Sequence, residues 1–163
     1  MSSLLEQLNE ELAQVADGVK DSLVQVRGSR GGVGAGTIWH PDGLILTNAH
    51  VVQRPPLIVT LTDGRTLEAR LLASDTSRDL AALMVQASGL PTVRLADSRK
   101  VQPGQWVLAM GHPWGVAGSV TAGAVIGLEQ EDGHGRWPGR QWIVVGLNLR
   151  PGYSGGPLGD ARG

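Results

Sequence analysis

A serine stands between glycines, with a proline closing the turn, in Gly152-Tyr153-Ser154-Gly155-Gly156-Pro157. Such a segment is poor material for a core and good material for a nucleophile. Glycine permits backbone conformations that a side chain forbids, so the N–H groups of Gly152 and Ser154 can converge on one small space. A pair of donors held this way stabilises an oxyanion as it forms, and loss of one such donor typically slows an enzyme by about 10²–10³. A serine hydroxyl is a weak nucleophile until a base takes its proton. The sequence offers four histidines: His40, His50, His112 and His134. His50 is the candidate base, because it lies near the end of the apolar run Leu44 to Val52, which reads as a buried strand ending in a tight turn. Asp79 is the candidate acid. It stands at the head of Leu80-Ala81-Ala82-Leu83-Met84-Val85, where its carboxylate can accept the imidazole N–H. Asp75 is a nearby competitor, since an aspartate that opens a strand is commonly a turn residue. A base, an orienting acid and a hydroxyl nucleophile together perform acyl transfer, and base–acid–nucleophile is one of the chain orders in which such triads occur.

The elements that must hold these groups are short and mostly extended. Ser3-Leu4-Leu5-Glu6 has the spacing of a capping box. Leu4, Leu8, Leu12, Val15 and Val19 follow at helical spacing, so residues 3–19 read as one amphipathic helix. Its apolar stripe must pack on the rest of the chain or on another subunit. Strands are predicted at 22–27, 34–39, 43–48, 57–62, 65–74 and 80–85, with Pro41-Asp42-Gly43 and Asp63-Gly64 as two of the turns between them. Six short strands can close one small barrel with no open edge. Further strands are predicted at 106–110, 119–128 and 141–145, with the start of another at Pro157-Leu158. Between the last two long strands, Gln130 to Arg140 is a polar, glycine-rich loop. Phenylalanine is absent and tyrosine occurs once, so Leu, Val, Ile and Ala must fill the interior, with the five tryptophans as large pieces. The 24 glycines, spread between β-branched runs without a collagen-like period, suit a turn-rich β protein.

These segments resemble the trypsin-like serine proteases and, within them, the high-temperature-requirement (HtrA, or Deg) family. The resemblance rests on Gly34-Ala35-Gly36-Thr37-Ile38, Pro41 to Val52, Asp79-Leu80-Ala81, Val101 to Val107, Gly111-His112-Pro113-Trp114-Gly115 and Pro151 to Leu158, in the family's order. It implies an all-β fold of two six-stranded antiparallel β-barrels after a short N-terminal helix, the second barrel lacking its last strands. The division would be 1–20 for the helix, 21–88 for the first barrel, 89–105 for a linker and 106–163 for the incomplete second barrel. It implies His50 as base, Asp79 as orienting acid, Ser154 as nucleophile, and Gly152 and Ser154 as the oxyanion hole, in the cleft between barrels. Asn148, Leu149 and Arg150 should lie near the pocket for the residue before the cut bond. None of them supplies an acidic floor, so a small or medium aliphatic side chain is expected there rather than a basic one. The implied substrates are unfolded or damaged polypeptides, the implied assembly a homo-oligomer of trimer type, and the implied compartment extracytoplasmic. No cofactor is implied.

Two departures from that pattern stand out. Relatives continue beyond the position of Gly163 with two further strands and commonly a peptide-binding PDZ domain, so a fragment of a longer protease is expected rather than a natural short form. Tyr153 stands where zymogen-type relatives carry an aspartate and HtrA relatives usually an asparagine. It cannot form an ion pair with a newly cut N-terminus. Control is therefore expected in the ordering of Arg150 to Tyr153, through a peptide flip at Gly152.

Other function classes are disfavoured. The formal net charge is -1, and the nearest basic cluster, Arg136 to Arg140, is broken by Trp137, Pro138 and Gly139, which argues against nucleic acid. Gly31 to Thr37 lacks the lysine of a phosphate-binding loop and leads into extended chain. Without cysteine or an H-E-x-x-H motif, a metal site is not expected. No apolar stretch is long enough to span a membrane, and Met1 to Lys20 lacks the basic start and apolar core of a signal peptide. His112, before Pro113, is expected to make a structural hydrogen bond, while His40 lies in a hairpin and His134 in the polar loop. The rival class is a non-catalytic or latent peptide-binding or chaperone module on the same fold, and an esterase using the same site is a lesser alternative.

Overall fold

The computed structural model describes residues 3–29, 32–53, 55–130 and 141–161. Helix α1 (Leu4–Lys20) starts as the S-x-x-E spacing requires. The Ser3 hydroxyl accepts from the Glu6 N–H, and the Glu6 carboxylate accepts from the Ser3 N–H. The helix docks through its C-terminal end. Val19 is buried, Leu8, Leu12 and Val15 are half-buried, and Leu4 and Leu5 lie exposed. Val19 joins Leu23, Ala35 and Met110 in a small apolar cluster that ties the helix to both sheets.

Six strands then close an antiparallel barrel: β1 (Leu23–Arg27), β2 (Val33–His40), β3 (Leu44–Thr47), β4 (Leu57–Thr60), β5 (Thr66–Asp75) and β6 (Leu80–Val85). Their order around the barrel is β1-β2-β3-β6-β5-β4. Alternating side chains fill it, with Val24, Val26, Ile38, Ile45, Val59 and Leu83 almost wholly removed from water. One register matters most for the site. Thr47, the last residue of β3, pairs with Ala81 near the start of β6. Because the strands are antiparallel, the chain leaving Thr47 runs beside the chain arriving at Leu80.

A second antiparallel sheet contains β7 (Trp106–Gly111), β8 (Ser119–Gln130), β9 (Gln141–Val145) and β10 (Leu158–Asp160), in the order β10-β7-β8-β9. It is open and shorter by strands than the barrel beside it. The fold is thus all-β with one helix, as expected, and strand limits differ from expectation by a few residues at most. The loop expected at Gln130 to Arg140, with His134, lies outside the described residues apart from its first position. One expectation fails. Trp39, Trp106, Trp114 and Trp142 are all more than 40% exposed, so none of the described tryptophans fills the interior. The narrow barrel takes compact aliphatic side chains, leaving the indoles on strand ends, outward faces and a turn. Among the described residues no helix is long and apolar enough to cross a membrane.

Candidate active site

Beyond Thr47 the chain turns through Asn48 into a single 3₁₀ turn, Ala49–Val51, which carries His50. Asp79 comes to meet it from the turn ahead of β6, as the pairing of β3 with β6 dictates. Its carboxylate grips His50 twice. Oδ2 lies 2.7 Å from the imidazole Nδ1, and Oδ1 accepts the His50 backbone N–H at 2.9 Å. Asn48 Nδ2 donates to the Asp79 carbonyl at 2.8 Å, bracing the acid from behind. An ionised carboxylate only accepts, so Nδ1 carries the proton and Nε2 is left as the acceptor. Partial burial pushes the Asp79 carboxyl up, but the His50 N–H, the imidazole and the Ala49 N–H outweigh it and hold the group below the ordinary 3.8. The Asp79 backbone is left-handed, with φ 51°. Aspartate tolerates that region better than most residues, yet the conformation still costs energy and persists only where surroundings enforce it. Asp75 does something else. It accepts from the Ser77 N–H, the Ser77 hydroxyl and the Arg78 N–H, and so caps the turn.

Ser154 arrives from the second sheet. Arg150 to Tyr153 form a turn closed by the Tyr153 N–H on the Arg150 carbonyl at 3.2 Å. Proline at its second position and Gly152, at φ 111°, in its third follow the type II pattern. The Gly152 carbonyl accepts the His112 N–H at 2.9 Å. A Cβ on Gly152 would stand 2.6 Å from the His112 carbonyl oxygen and 2.8 Å from Pro113 Cα, so only glycine fits. The next residues are seated on the barrel. Ala35 of β2 donates its N–H to the Ser154 carbonyl at 2.8 Å. A side chain at Gly155 would overlap the Ala35 carbonyl and the Thr47 hydroxyl and approach the Asn48 nitrogen. The Thr47 hydroxyl is held in turn by the Ala35 carbonyl at 2.6 Å. Ser154 is thus fastened to β2, and Gly155 packs against Thr47 at the end of β3, shortly before His50. Among the described residues, the N–H groups of Gly152 and Ser154 have no acceptor and the Ser154 hydroxyl makes no hydrogen bond. Two backbone donors and one hydroxyl are left uncommitted at one place.

A model of the trypsin-like peptidase domain matches residues 34–163. The chain belongs to the trypsin-like peptidase family. Its relatives within that family are of the HtrA/DegP kind. It is 39% identical over 135 residues to a protein named as serine protease HhoB from Synechocystis sp., covering 81% of this chain and 32% of that one. It is 41% identical over 135 residues to a protein named as a DegP-like periplasmic serine endoprotease from Halomonas elongata, covering 82% and 28%. Among solved structures, the HtrA-type protease AlgW, in a serine-to-alanine form with a tripeptide, superposes with a TM-score of 0.83 at 30% identity. That match covers 91% of this chain and 50% of the other. The chain therefore spans about a third or less of those two relatives and half of the solved chain.

In this trypsin-like peptidase the segment expected to wall the specificity pocket, Asn148 to Arg150, is exposed between β9 and the Gly152 turn. Arg150 joins the turn through its carbonyl. A cleft of about 420 Å³ lies between the two sheets, with Trp39, Leu80, Val93, Leu95, Val107 and Ile143 among its walls. Gly155 to Pro157 form part of it, but His50, Asp79 and Ser154 do not line it. Thr47 and Asn48 were not foreseen as part of the site. The signal for them was present: two polar residues at the end of an otherwise apolar strand, just ahead of the histidine.

Proposed function

We propose that this peptidase domain is a serine endopeptidase in which His50, Asp79 and Ser154 act as one unit. The two hydrogen bonds that His50 donates to Asp79 support the reading most strongly, because they leave Nε2 as the free base. Ser154 Oγ attacks the carbonyl carbon of a peptide bond as His50 Nε2 takes its proton. The oxyanion that forms is met by the N–H groups of Gly152 and Ser154. His50 then returns the proton to the leaving amine, and water repeats the sequence to free the acyl group. Asp79 holds the tautomer and stabilises the imidazolium, and its lowered pKa keeps it charged for that role. The Ser154–His50 hydrogen bond that this step needs is not made here and forms as substrate closes on the site, a common behaviour of unliganded enzymes.

The substrate class is extended polypeptide, as in unfolded or damaged proteins, with a small or medium aliphatic residue before the cut bond. The absence of a carboxylate in Asn148 to Arg150 supports that preference over a basic one. The tripeptide that accompanies the HtrA-type protease in its structure supports a peptide ligand, and the periplasmic name of the Halomonas relative supports an extracytoplasmic setting. The test is covalent labelling by a fluorophosphonate, read by intact mass. One adduct on this chain and none on Ser154→Ala is the expected result. An unlabelled chain, or equal labelling of both, overturns the reading and favours a latent peptide-binding module.

A further inference from the structure

His112 is buried, with 6% of its surface exposed, and takes no part in the proposed chemistry. Its main chain serves the Gly152 turn directly. The N–H donates to the Gly152 carbonyl at 2.9 Å, and the His112 carbonyl and Pro113 Cα fill the space that a Cβ on Gly152 would need. Its side chain does a second job. Nδ1 accepts the N–H of Gly118 at 3.3 Å, closing the segment between β7 and β8 onto its own first residue. Within that loop the Gly115 N–H bonds the His112 carbonyl at 3.2 Å and the Val116 N–H bonds the Pro113 carbonyl at 2.9 Å. Nε2 points into the interior with no hydrogen-bond partner among the described residues. The Val24 carbonyl of β1 lies toward the ring and partly offsets the effect of burial. Among charged or titratable groups, the Lys20 side chain of α1 runs alongside Gly118, and the Tyr153 ring lies against Gly111.

We infer that His112 is a positioning residue for the oxyanion turn: its imidazole closes residues 112–118 into a fixed loop, and that loop fixes the orientation of Gly152. The reasoning is mechanical. The Gly152 carbonyl is held by the His112 N–H, and His112 and Pro113 stand where a Cβ on Gly152 would lie. Those two residues open a loop with three internal hydrogen bonds onto His112 or Pro113, of which the imidazole makes the longest-range one. Without that acceptor the Gly118 N–H loses its partner and the loop loses its longest-range closure. The loop then loosens, and the turn carrying one oxyanion donor loosens with it. A displacement of about 1 Å in such a group can cost about 10²-fold in rate.

The inference rests on reading Gly152 and Ser154 as oxyanion donors, so its test has two independent readouts. The variants are His112→Ala, which removes the acceptor, and His112→Asn, whose amide oxygen can stand where Nδ1 stands. The first readout is site-resolved amide hydrogen exchange of Gly118 and Tyr153 by NMR on the whole chain. Expected is faster exchange of both amides in His112→Ala and restoration in His112→Asn. If Tyr153 exchanges at the parent rate in His112→Ala, or if His112→Asn fails to restore it, the inference falls, whatever the activity. The second readout is the fluorophosphonate reaction, resolved into binding and bond formation. Bond formation should slow by about tenfold or more in His112→Ala with binding little changed, and recover in His112→Asn. Loss of labelling in the parent chain itself would remove the oxyanion reading, while the exchange data would still decide whether His112 holds the turn.

Discussion

At the scale of single residues, the site is an argument about one carboxylate. Asp75 and Asp79 are four positions apart, and composition cannot choose between them. The pairing of Thr47 with Ala81 does choose, because it delivers Asp79 to His50 and leaves Asp75 to cap the turn before it. Replacing Asp79 by asparagine puts an amide donor where an acceptor is needed. The imidazole then favours the tautomer with its proton on the wrong nitrogen, and labelling or peptide hydrolysis should fall by about 10⁴-fold. The same replacement at Asp75 should leave the rate near that of the parent chain. Equal losses in both variants would mean that the turn, not the carboxylate, matters. His50, Asp79 and Ser154 were singled out in the sequence because each sits in distinctive surroundings, and the structure sets the first two against each other. The support from Asn48 to the Asp79 carbonyl and from Thr47 to the Ala35 carbonyl was not legible in the sequence. Both depend on which strands lie side by side, and residue types alone do not carry that information.

Elements position these residues, and the turn from Arg150 to Tyr153 is the most demanding of them. Gly152 was singled out in the sequence for its backbone freedom, but the neighbours that exclude a side chain there were not legible. Gly152 is required by its positive φ and also by the His112 carbonyl and Pro113 behind it. Gly104 provides the control, since it too has a positive φ, of 90°, but no atom within reach of a new side chain. Gly104→Ala should cost only backbone strain, about 1–2 kcal/mol in a urea titration, with no change in labelling. Gly152→Ala should add displacement of an oxyanion donor and slow labelling by about 10²–10³. Similar labelling rates in the two variants would argue that the Gly152 N–H plays no part. The same turn bears on control. A flip of the peptide between Pro151 and Gly152 would exchange the type II turn for type I and swing the Gly152 N–H away from its present direction. Tyr153 makes no ion pair among the described residues that would oppose such a flip, so the burden of holding the turn falls on His112, Arg150 and Gly156.

Over the whole molecule, the barrel was the most legible part, because period-two alternation in short β-branched runs leaves few alternatives. The tryptophans were misread for a reason at the same scale. Compact aliphatic side chains fill the six-stranded barrel, and among the described residues no indole joins them. How the barrel and the second sheet meet was not legible, yet it decides how stability responds to pH. His112 lies in that region, with the β1 residue Val24 on one side. Burial lowers its pKa from the ordinary 6.5, only partly offset by the Val24 carbonyl. The folded state therefore holds His112 neutral where the unfolded chain would bind a proton. Stability from this group is complete above pH 6.5 and is lost as pH falls below that value toward the folded pKa, because the unfolded state then binds more protons. Asp79 has the same sign in a lower window: its contribution is present above 3.8 and fades as pH drops beneath it. The two are therefore separable. Thermal unfolding followed from pH 8 to pH 5 should show the parent chain losing more of its melting temperature than His112→Asn. Parallel curves throughout would mean that His112 titrates alike in the folded and unfolded chain, and that its burial carries no proton linkage.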